Sequence, residues 1–213
     1  MSSEDYTGIL LVISSPSGGG KTSIYRALLE SGPPYEFSVS VTTRPPRGGE
    51  EDGVHYRFIG DEEFERLVEE DSLAEWAEVH GHRYGTRKEY VERALDSGRV
   101  MIFEIDVQGA RQLREAYPEH VVSVFIVPPS PQELERRLRE RGTDDDDEIE
   151  LRLKNARDEI KSYNEFDYLV YNDILKDAVA DVKSIVRAEL QKTKRRTGDI
   201  WPETSKRGGK NDQ

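Results

Sequence analysis

The chain has 213 residues, 43 of them acidic and 31 basic, for a formal net charge of −12. That length is enough to bury a core, and the acidic balance argues against a general nucleic-acid binder, whose affinity rests on a basic face. The absence of cysteine excludes disulfides, thiolate metal sites and cysteine nucleophiles, and no apolar run approaches the ~20 residues of a membrane-spanning helix.

The opening MSSEDYTG carries neither a basic nor an apolar stretch, so a cytoplasmic location without membrane attachment is expected. GILLVIS (8–14) is the first expected strand, and VMIFEID (100–106), VVSVFIV (121–127) and YLVYND (168–173) read the same way. These runs are apolar throughout rather than alternating, as in parallel strands covered on both faces. Amphipathic stretches at 21–30, 107–116, 131–141, 145–163 and 175–191 read as helices. The alternation predicts an α/β fold with a parallel-sheet core.

Residues 37–97 break that rhythm. FSVSVT, GVHYRFI, AEWAEVH and HRYGT are short strand-like pieces separated by turn residues, with one helix at 61–70. A compact insertion fits this pattern. RERGTDDDDEIELRL (139–153) reads as a charged hairpin between two helices, and the polar stretch 192–213 as disordered.

Between the first strand and first helix lies SSPSGGGKTS, from Ser14 to Ser23. The phosphate-loop pattern G-x-x-x-x-G-K-[ST] fits it from Ser15 onward, with serine in place of the first glycine. Backbone N–H groups at a helix N-terminus make an anion nest. The candidates are therefore Ser14, Ser15, Pro16, Ser17 and the three glycines, Gly18, Gly19 and Gly20, which allow close approach. They continue through Lys21, a point charge for the β- and γ-phosphates, Thr22, whose hydroxyl suits Mg²⁺, and Ser23. Position 15 chiefly needs a small residue, which serine is.

The next cluster is FSVSVTTRPPRGGEEDGVHYRF, residues 37–58. Arg44 and Arg47 flank two prolines that stiffen the chain. Guanidinium forks suit bidentate phosphate binding, and Tyr56 offers a phenolic donor. Taken alone, two loop arginines also read as solvated.

Together, SxTTRxPRxGExxGxxYxF, a downstream EW…YGT and the loop xPSGxGK are similar to guanylate kinase, collinearly from about residue 9 to 190. The resemblance implies an ATP:GMP phosphotransferase of P-loop α/β fold, using Mg²⁺ with ATP, accepting GMP and dGMP, and needing no nucleic-acid or membrane partner. It divides the chain into core (1–39, 98–130, 159–191), GMP-binding insertion (40–97), lid (131–158) and tail (192–213). It implies that Arg44, Arg47, Tyr56 and Tyr84 hold the GMP phosphate, that Glu50 supports the arginines, and that Ser40, Glu75 and Thr86 read the base.

The base assignment makes chemical sense. Guanine presents N1–H and N2–H₂ side by side, which one carboxylate accepts together, with O6 beside them for a hydroxyl donor. Adenine turns a lone pair toward that carboxylate, and mispaired buried groups cost ~1–3 kcal/mol each.

Arg137 and Arg141 lie four apart on one helix face, with Arg152 on the next helix. The resemblance implies that these three close over ATP and stabilise the phosphoryl group in flight, work that needs alignment and charge rather than a covalent nucleophile. Arg136 and Arg139 read as solvated, and the run Asp144 to Asp147 as acidic residues favouring a helix N-terminus. Glu104 and Asp106 end a strand, where an α/β sheet presents its ligands. Asp106 is a candidate for a Mg²⁺-bound water or for the acceptor nucleotide, or else a helix cap. Asn172 and Asp173 match a segment near the ATP adenine, or form a plain turn.

Two other readings share this fold: a non-catalytic interaction module, and a kinase of a ribosyl phosphate. Retention of Lys21, Thr22, Arg137, Arg141 and Arg152 argues against the first; Ser40, Glu75 and Thr86 argue against the second.

Overall fold

The run ILLVIS forms the central strand β1 (Ile9–Ser14), buried at every position. The computed structural model describes residues 6–79, 81–105, 107–140 and 146–197. After β1 come helix α1 (Lys21–Glu30) and strands β2 (Tyr35–Phe37), β3 (Val41–Thr42) and β4 (Arg57–Phe58). Helix α2 (Asp61–Glu69), the hairpin β5 (Leu73–Val79) and β6 (His82–Arg87), and α3 (Lys88–Asp96) follow. The chain continues through β7 (Val100–Phe103), α4 (Val107–Ala116), β8 (Val121–Val127), α5 (Pro131–Glu140) and α6 (Asp146–Ile160). Strand β9 (Tyr168–Tyr171) and α7 (Leu175–Leu190) complete it.

Five strands in the order β2-β7-β1-β8-β9 make the core sheet, and every pairing in it is parallel. Alternation along β1 explains its unbroken hydrophobicity. Ile9, Leu11 and Ile13 face one layer with Ile24 and Leu28 of α1 and Val182 and Val186 of α7. Leu10 and Val12 face the other, with Val91 and Leu95 of α3 and Leu113 of α4. Both faces need apolar residues, so no polar alternation is left.

The second sheet, β4-β3-β6-β5, is mixed. Its small core is Val41, Phe64, Leu67 and Leu73, beneath α2. Helices α5 and α6 share a separate cluster of Leu134, Leu138, Ile149 and Ala156.

Several expected boundaries move. FSVSVT is not one strand: Phe37 pairs with Ile102 in the core sheet, whereas Val41 pairs with Gly85 in the second. The chain crosses between sheets at residues 38–40, which breaks the strand. Helix α3 was not anticipated, and it packs on the core sheet, so the inserted sheet ends at β6. The strand at 100–106 stops at Phe103, and that at 168–173 stops at Tyr171. Residues 192–197, expected in the disordered stretch, include a 3-10 turn at Thr193–Arg195 from which Arg195 reaches into the core. Arg195 is only 3% exposed beside Glu189, its carbonyl accepts from Thr7 N–H at 2.8 Å, and Arg196 bridges to Tyr6. Backbone pairing with Thr7 and Tyr6 holds this stretch, which composition does not reveal. Residues 198–213 lie outside the described residues.

Candidate functional site

The loop after β1 turns into α1 through two glycines with left-handed backbone, Gly18 (φ 87°) and Gly20 (φ 94°). L-residues pay for that conformation. A Cβ on Gly20 would also collide with Asn172 Nδ2, and one on Gly18 would lie 2.9 Å from Leu134 Cδ1. Asn172, 5% exposed, donates from Nδ2 to Gly19 O at 3.0 Å. Its carboxamide therefore braces the loop from beneath. Ser15 occupies the formal glycine position half-buried, its hydroxyl donating to Pro16 O at 3.2 Å. Lys21, Thr22 and Ser23 open α1. Lys21 Nζ sits 3.5 Å from Glu104 Oε1, and Ser17 N–H donates to Glu159 Oε2 at 3.0 Å.

Helix α5 brings Arg137 beside the loop. Its Nε donates to Glu133 Oε1 at 2.6 Å and its Nη2 to Asn172 O at 2.8 Å, which fixes the guanidinium. Two arginines hold the Glu133 carboxyl down to about 2, Arg136 contributing more than Arg137. Arg136 and Arg139 lie exposed in ion pairs along the helices, with Glu133 and Glu140 and with Glu135 and Asp146. Asp146 and Asp147 fall in the first turn of α6, where the helix dipole favours acid. Arg152 is half-buried on α6; Arg141, Asp106, Asp144 and Asp145 lie outside the described residues.

On the facing sheet, Arg44 is 6% exposed and clamps Glu50 with two bonds, Nη2 to Oε1 at 2.8 Å and Nη1 to Oε2 at 3.0 Å. Its Nε donates to Tyr84 Oη at 3.2 Å, and its guanidinium lies 5.4 Å from the Tyr56 ring centre. Tyr56 and Tyr84 meet edge to face at 5.9 Å. Arg44 first, then Arg47 N–H at 2.7 Å, pushes the Glu50 carboxyl down to about 2. Burial, then the Glu104 charge, raises the Tyr56 phenol. Arg47 joins this cluster through its backbone; its side chain is exposed.

The base-reading candidates are cross-strand neighbours. Glu75 of β5 pairs in register with Thr86 of β6, so the hairpin brings residues eleven positions apart face to face. Thr86 Oγ1 donates to Glu75 Oε1 at 2.7 Å, with Glu75 4% and Thr86 0% exposed. Ser40 Oγ lies 3.4 Å from Thr86 Oγ1. Buried Ser38, at the same distance, completes the hydroxyl cluster. Ser38 went unremarked in sequence, although its spacing of two from Ser40 was the available signal. Gly109 and Gln112 gave no such signal. A Cβ on Gly109 would stand 2.9 Å from Glu75 Oε2, and Gln112 ties α4 to Trp76 through both backbone groups.

The two halves share a pocket of about 400 Å³, lined by Ser14, Ser15 and Lys21 on one side and Ser40, Tyr56, Glu75 and Tyr84 on the other. A cavity of about 530 Å³ lies at the opposite end of the core sheet, against Pro33, Pro34, Tyr35 and Leu190. Its largely apolar walls lack the convergent hydroxyl and carboxylate set a nucleotide requires. Among the described residues no group of three or more histidines and carboxylates could cage a metal, and no helix is long and apolar enough to cross a membrane.

The family model described as Guanylate kinase matches residues 8–189, spanning both sheets and helices α1 to α7 but for the last residue of α7. A guanylate kinase of Mesorhizobium japonicum is 54% identical over 191 residues, covering 90% of this chain and 88% of that one. One of Anaeromyxobacter dehalogenans is 48% identical over 187 residues, covering 87% and 83%. The crystal structure of a guanylate kinase from Anaplasma phagocytophilum matches with a TM-score of 0.73 at 38% identity, covering 92% of this chain and 94% of that one.

Proposed function

We infer the chemistry of the pocket from one premise: the chain belongs to the guanylate kinase family, and it transfers a phosphoryl group from ATP to GMP, giving ADP and GDP. The observation that carries the residue assignments is the shared pocket, with a phosphate loop on one wall and the Glu75–Thr86 pair on the other. The loop amides and Lys21 take the ATP phosphates. Arg44, Arg47, Tyr56 and Tyr84 take the phosphate of GMP, with Glu50 holding Arg44 in place. dGMP fits the same set, since no contact assigned here involves the 2′-hydroxyl.

Glu75 accepts from guanine N1–H and N2–H₂. Thr86 spends its single proton on Glu75 and so holds that carboxylate in line. Ser40 is then the hydroxyl positioned to donate to O6. A phosphate oxygen of GMP attacks the γ-phosphorus of ATP, the bond to the β–γ bridging oxygen breaks, and its electron pair leaves with ADP. Lys21, Arg137, Arg152 and, from the family pattern, Arg141 offset the charge spread over the transferring group.

Mg²⁺ fits this site in a specific way. A single hydroxyl, Thr22, in the first turn of α1 suits an ion that keeps several waters and draws other ligands from phosphates. When bound with ATP, Mg²⁺ supplies charge neutralisation on the β- and γ-phosphates; Asp106 is a further candidate, through water. An ADP-release assay with ATP against GMP, dGMP, AMP, UMP and CMP tests the reading. Turnover confined to GMP and dGMP is expected, and comparable turnover with AMP overturns the role of Glu75.

A further inference from the structure

Two carboxylates face the donors of the phosphate loop. Glu104 approaches the ammonium of Lys21 at 3.5 Å, and Glu159 accepts from Ser17 N–H at 3.0 Å across 142 residues of sequence. Both also line the shared pocket. Glu159 is the less expected of the two. It belongs to α6, a helix tied through Ile149 and Ala156 to Leu134 and Leu138 of α5, and those leucines pack against Gly18 of the loop.

A backbone N–H has one hydrogen to give. A carboxylate oxygen and a phosphate oxygen are both anionic acceptors, so they compete for it and repel one another. We propose that Glu159 is a determinant of donor-nucleotide affinity: it competes with the nucleotide phosphates for Ser17 N–H and withdraws, with α6, as they enter. This rests on reading the loop as the ATP site. Glu159, Arg137 and Arg152 all ride on the packed helix pair α5–α6, so release of Ser17 N–H and the placement of those arginines are coupled. A competing carboxylate also weakens the hold on ADP, which favours product release.

The test is calorimetric titration of ADP and, separately, GMP into the full-length protein and into Lys21→Ala, Glu159→Ala and Glu159→Gln. Removing an exposed charged hydrogen bond should tighten ADP about 2–5-fold in Glu159→Ala. Glu159→Gln keeps an acceptor but loses the charge, so a smaller tightening is expected, with GMP affinity unchanged in both. A carboxylate that merely supported the fold would loosen ADP on removal. Unchanged or weakened ADP binding in the Glu159 variants overturns the proposal. Should Glu159→Ala fail to fold, the near-isosteric Glu159→Gln decides alone. If wild type binds no ADP, or Lys21→Ala binds it as tightly, the donor-site reading falls and this proposal with it.

Discussion

Under the assignments proposed for the pocket, its two walls recognise their ligands by different means. On the acceptor wall the working groups are side chains set in β-structure and bonded to one another: Arg44 to Glu50 and Tyr84, and Thr86 to Glu75. Arg44, Glu75 and Thr86 are 6%, 4% and 0% exposed. On the donor wall the candidate groups are loop amides and less buried side chains, with Lys21 half-buried at 24% exposure of its side chain. Telling one base from another demands fixed donors and acceptors, because discrimination comes from leaving the wrong partner unpaired. Holding a phosphate demands only convergent N–H groups and charge. Changes on the donor wall should therefore alter rate and leave the fold intact, whereas changes on the acceptor wall should alter selectivity and stability together.

The largest effect expected is on the donor wall. Lys21→Ala should lower kcat by about 10²–10³-fold, the range seen when one preorganised charge-stabilising group is removed. Because Lys21 is partly exposed, the unfolding free energy should stay within about 0.5 kcal/mol of wild type. Steady-state kinetics paired with thermal unfolding check both halves of the statement. A large loss of stability would erase the contrast between the walls.

Glu75→Gln comes next. The amide nitrogen would face a guanine donor, and a mispaired buried group costs ~1–3 kcal/mol, so kcat/KM for GMP should fall about 10–100-fold. Selectivity over AMP should narrow by a similar factor. Unchanged selectivity would remove Glu75 from base reading. Arg44→Ala should raise KM for GMP about tenfold while KM for ATP stays level, since charged hydrogen bonds contribute roughly 1.5–3 kcal/mol. It should also cost stability, because it strips a nearly buried guanidinium from Glu50 and Tyr84. A rise confined to ATP would move the cluster to the other wall.

This contrast also governs how much the sequence disclosed. Strands β1, β7 and β8 were legible because burial on both faces leaves unbroken apolar runs such as ILLVI, whereas β9, expected to be covered alike, is an edge strand with Leu169 and Tyr171 exposed. The glycine-rich loop between β1 and α1 was legible because its pattern lies in ten consecutive residues. The acceptor candidates stand out only as a composite pattern. Glu75 and Thr86 acquire meaning through hairpin register, and Ser40 through a crossing between sheets that the run FSVSVT conceals. Helix α3 escaped notice although Val91, Ala94 and Leu95 stand at i, i+3 and i+4, because nine residues between turn signals give a weak period. Contacts such as Glu159 with Ser17, Arg137 with Asn172 O, and Arg195 with Glu189 have no local signature. Tertiary packing alone creates them.

The smallest effect sharpens the comparison most finely, because it separates stability from chemistry within the acceptor wall. Arg44, with help from Arg47 N–H, depresses the Glu50 carboxyl from 4.5 to about 2. A depressed carboxyl stabilises the fold above its unfolded pKa, and that contribution is lost as pH falls through the folded value. Glu50→Gln keeps an acceptor for Arg44 but cannot titrate. The Tm difference between wild type and Glu50→Gln should therefore be constant above about pH 5 and shrink between about 4.5 and 2. Melting curves of the two proteins across pH 2–7 check it, since every other titrating group is common to both and cancels in the difference. A gap that persists unchanged to pH 2 would show that Glu50 acts through shape rather than charge. The acceptor wall would then be held by packing, and Arg44 would owe its orientation to Tyr56 and Tyr84 instead.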